Sequence, residues 1–177
     1  MSWSAGVLLL LGPFVVVQAA SVSVQDRANK NSSGDRVYLA KVTRVFDGDT
    51  LWVRPLSGGR YRKLRLDGID APEICQTGGV ASRDALAAMV TAQEVLVEVR
   101  RYDDYGRALV RVSVRGEDVS ARLVSAGHAW SYRWRRSLGP YAEQEAVARE
   151  YRKGLFSDPA PELPRDFRRR YGSCPLP

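Results

Sequence analysis

Residues 37–67 read VYLAKVTRVFDGDTLWVRPLSGGRYRKLRLD, three β-forming runs separated by two turns. The first run, Val37–Phe46, is rich in β-branched and aromatic residues and stops at Asp47-Gly48-Asp49, a turn signal. Thr50–Arg54 is a second, shorter run, and Pro55 to Gly59 closes it with another turn. Tyr61–Asp67 is the third. Leu64 and Leu66 fall on one face of it, and Lys63, Arg65 and Asp67 on the other. It ends before Asp70-Ala71-Pro72-Glu73, because Pro72 has no N–H for a ladder. Leu64 and Leu66 give the third run an apolar face that must be covered.

The rest of the chain supplies what can cover that face. Ser82–Ala92 is predicted helical, with Leu86, Met89 and Val90 at i, i+3 and i+4. Val95, Val97 and Val99 alternate with polar neighbours in a fourth strand, and Leu109–Val114 is a fifth, with Val110, Val112 and Val114 on one side. Asp118 is placed to cap a second helix that turns Val119, Leu123 and Ala126 inward and stops at Gly127. Residues 141–153 form a third, with an i, i+4 pair of Glu145 and Arg149 and a stop at Gly154. The order β-β-β-α-β-β-α-α defines an α+β chain. Five short strands suit a small closed β-barrel, of which the OB-fold is the five-stranded example. The expectation is a five-stranded OB-fold barrel with three α-helices.

Composition narrows the function classes. The chain has 177 residues and a net charge of +7, and of its 27 basic residues only Lys30, Lys41, Lys63 and Lys153 are lysines. A basic surface attracts polyanions, and arginine's planar fork matches phosphate. A G+C-rich coding sequence would also raise arginine over lysine, so the charge balance is the firmer clue. His128 is the single histidine. That argues against poly-histidine zinc sites and Ser/His/Asp catalysis, and His128 reads as structural.

Residues 1–20 read as a signal peptide. An apolar run from Val7 to Val17, broken by Gly12-Pro13, is followed by Gln18-Ala19-Ala20. It is too short to span a membrane. Met1 to Gly6 lacks the usual basic residue, which leaves an uncleaved anchor as the alternative. Residues 21–36, with Asn31-Ser32-Ser33-Gly34, read as a polar linker, and 37–157 as the globular domain. Residues 158–177 carry Pro159, Pro161, Pro164 and Arg168-Arg169-Arg170 and are expected to be an irregular tail. The protein is therefore expected to be secreted or periplasmic, monomeric, and without stable membrane insertion once the leader is removed.

Acidic residues gather where strands end. Asp47 and Asp49 leave the first strand, while Asp67, Asp70 and Glu73 cluster at the exit of the third. If those strands are neighbours the carboxylates converge, and converging carboxylates repel unless a cation sits between them. Oxygen donors without histidine or cysteine select Ca²⁺ or Mg²⁺. Asp-Gly is also ordinary turn chemistry, so no single pair decides the matter. Arg65 lies five residues before Asp70, and Arg107 follows the turn Asp103-Asp104-Tyr105-Gly106. Either arginine suits a salt bridge or a phosphate.

Taken together, Val45-Phe46-Asp47-Gly48-Asp49-Thr50, then Leu64-Arg65-Leu66 through Asp70-Ala71-Pro72-Glu73, then Asp103-Asp104-Tyr105-Gly106-Arg107-Ala108 resemble the staphylococcal nuclease (thermonuclease) family. Leu123 to Ala129 and Gly154-Leu155-Phe156 also match, so the resemblance covers about residues 37–157. It implies an OB-fold enzyme with Ca²⁺ as cofactor and DNA and RNA as substrates. By position, Asp49, Asp70 and the carbonyl of Ala71 would be metal ligands. Glu73 would position or deprotonate the attacking water, and Arg65 and Arg107 would grip the scissile phosphate. Tyr105 would lie against the substrate, with Asp47 and Thr50 behind the ligands. Asp104 departs from members that carry a basic residue there.

Downstream, Trp130, Tyr132, Arg133, Trp134, Arg135 and Arg136 form an aromatic–basic run suited to stacking bases and tracking a backbone. Tyr132, Arg133 and Arg135 are the candidates for substrate contact; packing beneath the barrel is the alternative. Cys75 and Cys174 are expected to pair if the chain is exported, and to be free thiols otherwise. The competing function class is a non-catalytic nucleic-acid-binding module. The presence of Asp49, Arg65, Asp70, Glu73 and Arg107 together argues for the enzyme.

Overall fold

The computed structural model describes Met1 and residues 36–174. Residues 2–35, which hold the rest of the leader and nearly all of the polar linker, lie outside the described residues. The three runs form strands β1 (Val37–Val45), β2 (Thr50–Pro55) and β3 (Arg62–Leu66), and β2 lies between β1 and β3, so the first and third strands are not direct neighbours. β1 pairs antiparallel with β2, and β2 with β3, where Thr50 faces Arg65 and Leu51 faces Leu64. A two-residue strand β4 (Ile69–Asp70) follows, then helix α1 (Gly79–Val90). Strands β5 (Glu94–Tyr102) and β6 (Ala108–Val114) form a long hairpin, and β5 returns to pair with β1. β3 and β6 then pair in parallel, Leu64 with Ala108 and Leu66 with Val110, which closes the five-stranded barrel.

Closure follows from the alternation. Leu51, Val53, Leu64, Leu66, Val95, Val97, Val110 and Val112 all turn inward and are almost wholly buried. Each such side chain stabilises by roughly 1.5–3 kcal/mol. A slip of one residue in any strand would turn its apolar set outward, so the register is strongly specified.

β7 (Glu117–Asp118) leads into α2 (Val119–Ser125). Asp118 accepts from the N–H groups of Ser120 at 2.8 Å and Ala121 at 3.2 Å, satisfying two of the donors a helix start leaves over. After α2, Gly127 turns with φ +75°, and a Cβ there would collide with the Lys153 carbonyl. β8 (Trp130–Ser131) pairs with β4, placing Asp70 opposite Trp130. α3 (Ala142–Glu150) runs shorter than its expected 141–153 and is followed by a 3₁₀ turn over Gly154–Ser157.

The tail is not irregular. Pro164–Tyr171 forms a fourth helix, α4, where three were expected among the elements of this fold. Pro164 sits in its first turn, where a missing N–H costs nothing. Arg168, Arg169 and Arg170 occupy its last turn, where cations complement the helix dipole. Leu163, just before it, packs onto the cluster of Trp130, Ala148 and Phe156. Neither end of α4 hangs free. Gln76 Nε2 donates to the Glu162 carbonyl at 2.6 Å, and Cys174 is joined to Cys75 by a disulfide with Cα atoms 5.9 Å apart.

Candidate active site

The exit of β1 is built by Asp47. Its Oδ1 accepts from the N–H of Asp49 at 2.9 Å and of Thr50 at 2.7 Å, an Asx turn that aims Asp49 inward. Gly48 is required there by crowding rather than by φ. A Cβ would overlap the Ser82 side chain on α1 and come within 2.7 Å of the Ala71 Cβ.

Asp49 is buried. Its Oδ1 accepts from Thr50 Oγ1 at 3.0 Å and Arg65 Nη1 at 2.8 Å, and its Oδ2 accepts from the Ala71 N–H at 3.3 Å. Arg65 arrives from β3, on the face opposite Leu64 and Leu66, and its second nitrogen lies 3.4 Å from Asp70 Oδ1. Asp70 is held on β4 by the pairing with β8. One guanidinium therefore spans the two carboxylates that lie 21 positions apart in sequence between Asp49 and Asp70.

Glu73 sits in the loop before α1, its N–H donating to Gln76 Oε1 at 3.1 Å. Arg168 of α4 reaches it: Nη1 lies 2.7 Å from Glu73 Oε1, and Nη2 lies 3.5 Å from Asp70 Oδ1. The motif-based set omits this arginine. The family resemblance ends near residue 157, and a tail read as irregular placed Arg168 nowhere. Helical spacing from Pro164, with Cys174 as an anchor, is the signal that points to it.

The turn between β5 and β6 prepares Arg107. Asp103 Oδ1 accepts from the N–H of Tyr105 at 3.0 Å and of Arg107 at 2.8 Å, while its Oδ2 accepts from Arg107 Nε at 2.7 Å. The guanidinium lies 5.4 Å from the centre of the exposed Tyr105 ring.

These groups share one open cleft of about 1210 Å³, lined by Asp47, Thr50, Arg65, Asp70, Glu73, Tyr105, Arg107, Tyr132, Trp134 and Arg168 among others. Asp49 and Ala71 lie buried behind its wall. Arg133 is drawn aside, its Nη2 2.6 Å from the buried Glu145. Arg133 and Arg135 line a smaller neighbouring pocket of about 310 Å³ that also touches Asp70 and Arg168.

Charge in the site is unevenly compensated. Burial, then the neighbouring charge of Asp49, pushes Asp47 up to about 7. Burial also raises Asp70, against the pull of Arg168. Arg65 is held above its ordinary value first of all by Asp49. Among the described residues no three His, Cys, Asp or Glu side chains are gathered closely enough to hold a metal by themselves. A cation beside Asp49 and Asp70 would therefore complete its oxygen shell from a backbone carbonyl, water or substrate, as hard cations commonly do.

A buried carboxylate pair bridged by an arginine, at the rim of an OB-fold barrel and beside a cleft lined by arginines and carboxylates alike, fits a phosphodiester-cleaving class of protein. The comparisons agree. The family described as "Staphylococcal nuclease homologue" matches residues 63–158. Protein ParB of Escherichia coli is 40% identical over 140 residues, 73% of this chain and 78% of that protein. Micrococcal nuclease of Shigella flexneri is 35% identical over 143 residues, covering 75% and 81% of the two chains. An uncharacterized endonuclease of Escherichia coli O157:H7 is 35% identical over 131 residues, covering 73% and 84%. This chain belongs to the staphylococcal nuclease family, a family of phosphodiester hydrolases.

Proposed function

We propose that the protein is an exported, Ca²⁺-dependent nuclease that cleaves DNA and RNA with little sequence specificity. The observation that carries this reading is the gathering of Asp49, Asp70 and Arg65 at one point, with Glu73 and Arg107 lining the same cleft. The donor set fits a hard divalent cation: carboxylate oxygens, an adjacent backbone carbonyl at Ala71, and no soft ligand among them. Asp49, Asp70 and the Ala71 carbonyl would hold it.

A phosphodiester is anionic and repels a nucleophile. Calcium, when bound, would supply positive charge against the phosphate. The protein does the rest. Arg65 and Arg107 bind the phosphate oxygens and stabilise the charge that builds on them as water attacks. Glu73 orients that water and takes its proton. Asp103 keeps the Arg107 guanidinium aimed, and Thr50 and Asp47 keep Asp49 aimed. Tyr105 and Tyr132, which line the same cleft, offer aromatic surface to the sugar or base. The disulfide between Cys75 and Cys174 supports an oxidising compartment, either the periplasm or the medium.

The test is cleavage of plasmid DNA and of RNA with Ca²⁺, with Mg²⁺ and with chelator, for the wild type, Glu73→Gln and Arg107→Ala. Digestion should require Ca²⁺ and stop with chelator. Glu73→Gln should lose about 10²–10⁴ in rate, with unchanged circular dichroism. Binding without cleavage under every metal would replace the enzyme with a binding module. A folded variant that cleaves at the wild-type rate would remove the role given to that residue.

A further inference from the structure

We propose that Arg168 is a positioning residue of the active site, delivered by a helix clamped at both ends, and that it holds the Glu73 carboxylate in place to orient and deprotonate the water that attacks the phosphodiester. This rests on the nuclease reading above and adds a group that the family's motifs do not contain.

Three observations carry it. First, the contact is directional. Arg168 forks between Glu73 Oε1 at 2.7 Å and Asp70 Oδ1 at 3.5 Å, so it fixes one Glu73 oxygen and leaves Oε2 for water. Among the described residues, Arg168 is the cation ion-paired with Glu73, whereas Arg65 serves Asp49 and Asp70. Second, its neighbours do not line this cleft: Arg165 opens onto the smaller adjoining pocket, Arg169 pairs with Asp166 and Arg170 with Glu162. The Arg168 side chain is 32% exposed, against 59% for Arg165, 77% for Arg169 and 59% for Arg170. One face of α4 thus presents a single arginine to the cleft. Third, α4 is fastened on each side of that residue. Leu163 packs on Trp130 and Phe156, and the Glu162 carbonyl accepts from Gln76. Beyond the helix, Cys174 is bonded to Cys75, two residues after Glu73. Gln76 also receives the Glu73 N–H, so the same short loop carries the general base and both anchors of the helix that steadies it.

A carboxylate that must take a proton from one water gains from losing its rotational freedom beforehand. Free in a loop, Glu73 would sample orientations that miss the water. A charge-assisted bond to an anchored arginine removes them.

The decisive experiment measures kcat and KM on a defined DNA for the wild type, Arg168→Ala, Arg168→Lys, Arg169→Ala and the Cys75→Ser/Cys174→Ser pair. Arg168→Ala should lower kcat about tenfold or more, short of the roughly 10²–10⁴ expected for Glu73→Gln, with KM within about twofold. Arg168→Lys should recover part of the loss, and Arg169→Ala should match the wild type. The Cys75→Ser/Cys174→Ser pair should lower kcat in the same direction, and adding Arg168→Ala to it should cost less than it does alone. Thermal unfolding of Arg168→Ala, Glu73→Gln and their double variant, without metal, reads the contact independently of cleavage: the two changes should be non-additive. Wild-type kcat in folded Arg168→Ala overturns the proposal. A rise in kcat also overturns it, and makes the arginine a plug instead. Additive unfolding removes the contact itself. A wild type that cleaves under no condition fails the nuclease reading, not this one.

Discussion

Replacing Glu145 by alanine tests how far the site depends on support from behind. Glu145 is a carboxylate with only 3% of its side chain exposed. It accepts from the Ser131 N–H at 3.0 Å, Arg133 Nη2 at 2.6 Å and Arg149 Nε at 2.8 Å. Its removal orphans a buried N–H, at about 1–3 kcal/mol, and takes away buried methylene area, at about 0.8 kcal/mol per CH₂. The two arginines are 37% and 41% exposed and turn back to water, so the larger penalty of a stranded buried charge does not apply. The sum is roughly 2–4 kcal/mol, and at about 2–4 °C per kcal/mol for a domain of this size the midpoint should fall by roughly 5–15 °C. Glu145→Gln keeps an acceptor for Ser131 and should lose less. Ser131 lies in β8, the partner of the strand that carries Asp70. Cleavage by Glu145→Ala, assayed well below its midpoint, should therefore drop several-fold although Glu145 lines no part of the cleft. Thermal unfolding by circular dichroism decides the first point. A midpoint within about 2 °C of wild type refutes the reasoning.

Two further outcomes follow from the same structure. Burial depresses His128 below its ordinary 6.5, so the unfolded chain takes up that proton at higher pH than the folded one. Its contribution to stability is present above 6.5 and is lost as pH falls below it. His128→Asn should flatten the unfolding midpoint against wild type between about pH 5 and 7, and an unchanged slope would clear His128 of the effect. The disulfide closes a loop of 99 residues, for which the chain-entropy model gives about 4.7 kcal/mol and measured bridges typically 2–4 kcal/mol. Urea unfolding with and without reductant should therefore separate by about that much, and coincident curves would mean that α4 is held by Leu163 and Gln76 alone.

Much of this molecule was legible in one dimension, because the signals are short-range. Val95, Val97 and Val99 announce a strand by alternation, and Asp118 announces a helix start by its side-chain oxygen. The Asp47-Gly48-Asp49 and Asp70-Ala71-Pro72-Glu73 segments mark strand exits and carboxylate positions by the same local chemistry. Their order along the chain carries the likeness to the family. Boundaries were softer: α1 begins at Gly79 rather than Ser82, and α3 stops at Glu150, because helix ends are settled by packing and caps more than by periodicity.

What the sequence by itself determined is the set of pieces: five strands with one apolar face each, the helices that cover them, and the acidic and basic residues at strand ends. Only the tertiary structure decided which of those residues meet. The parallel pairing of β3 with β6 closes the barrel and puts Arg107 on the same cleft as Arg65. The contact of Arg168 with Glu73 joins residues 95 positions apart. The turning of Arg133 away from the cleft, toward Glu145, depends on a helix that no local pattern places there. The reason is physical. Dihedral preference and side-chain period act over a few residues, whereas an ion pair forms wherever packing brings two charges within about 4 Å, and in this chain the packing is set by the closed barrel and by the disulfide that returns α4 to it.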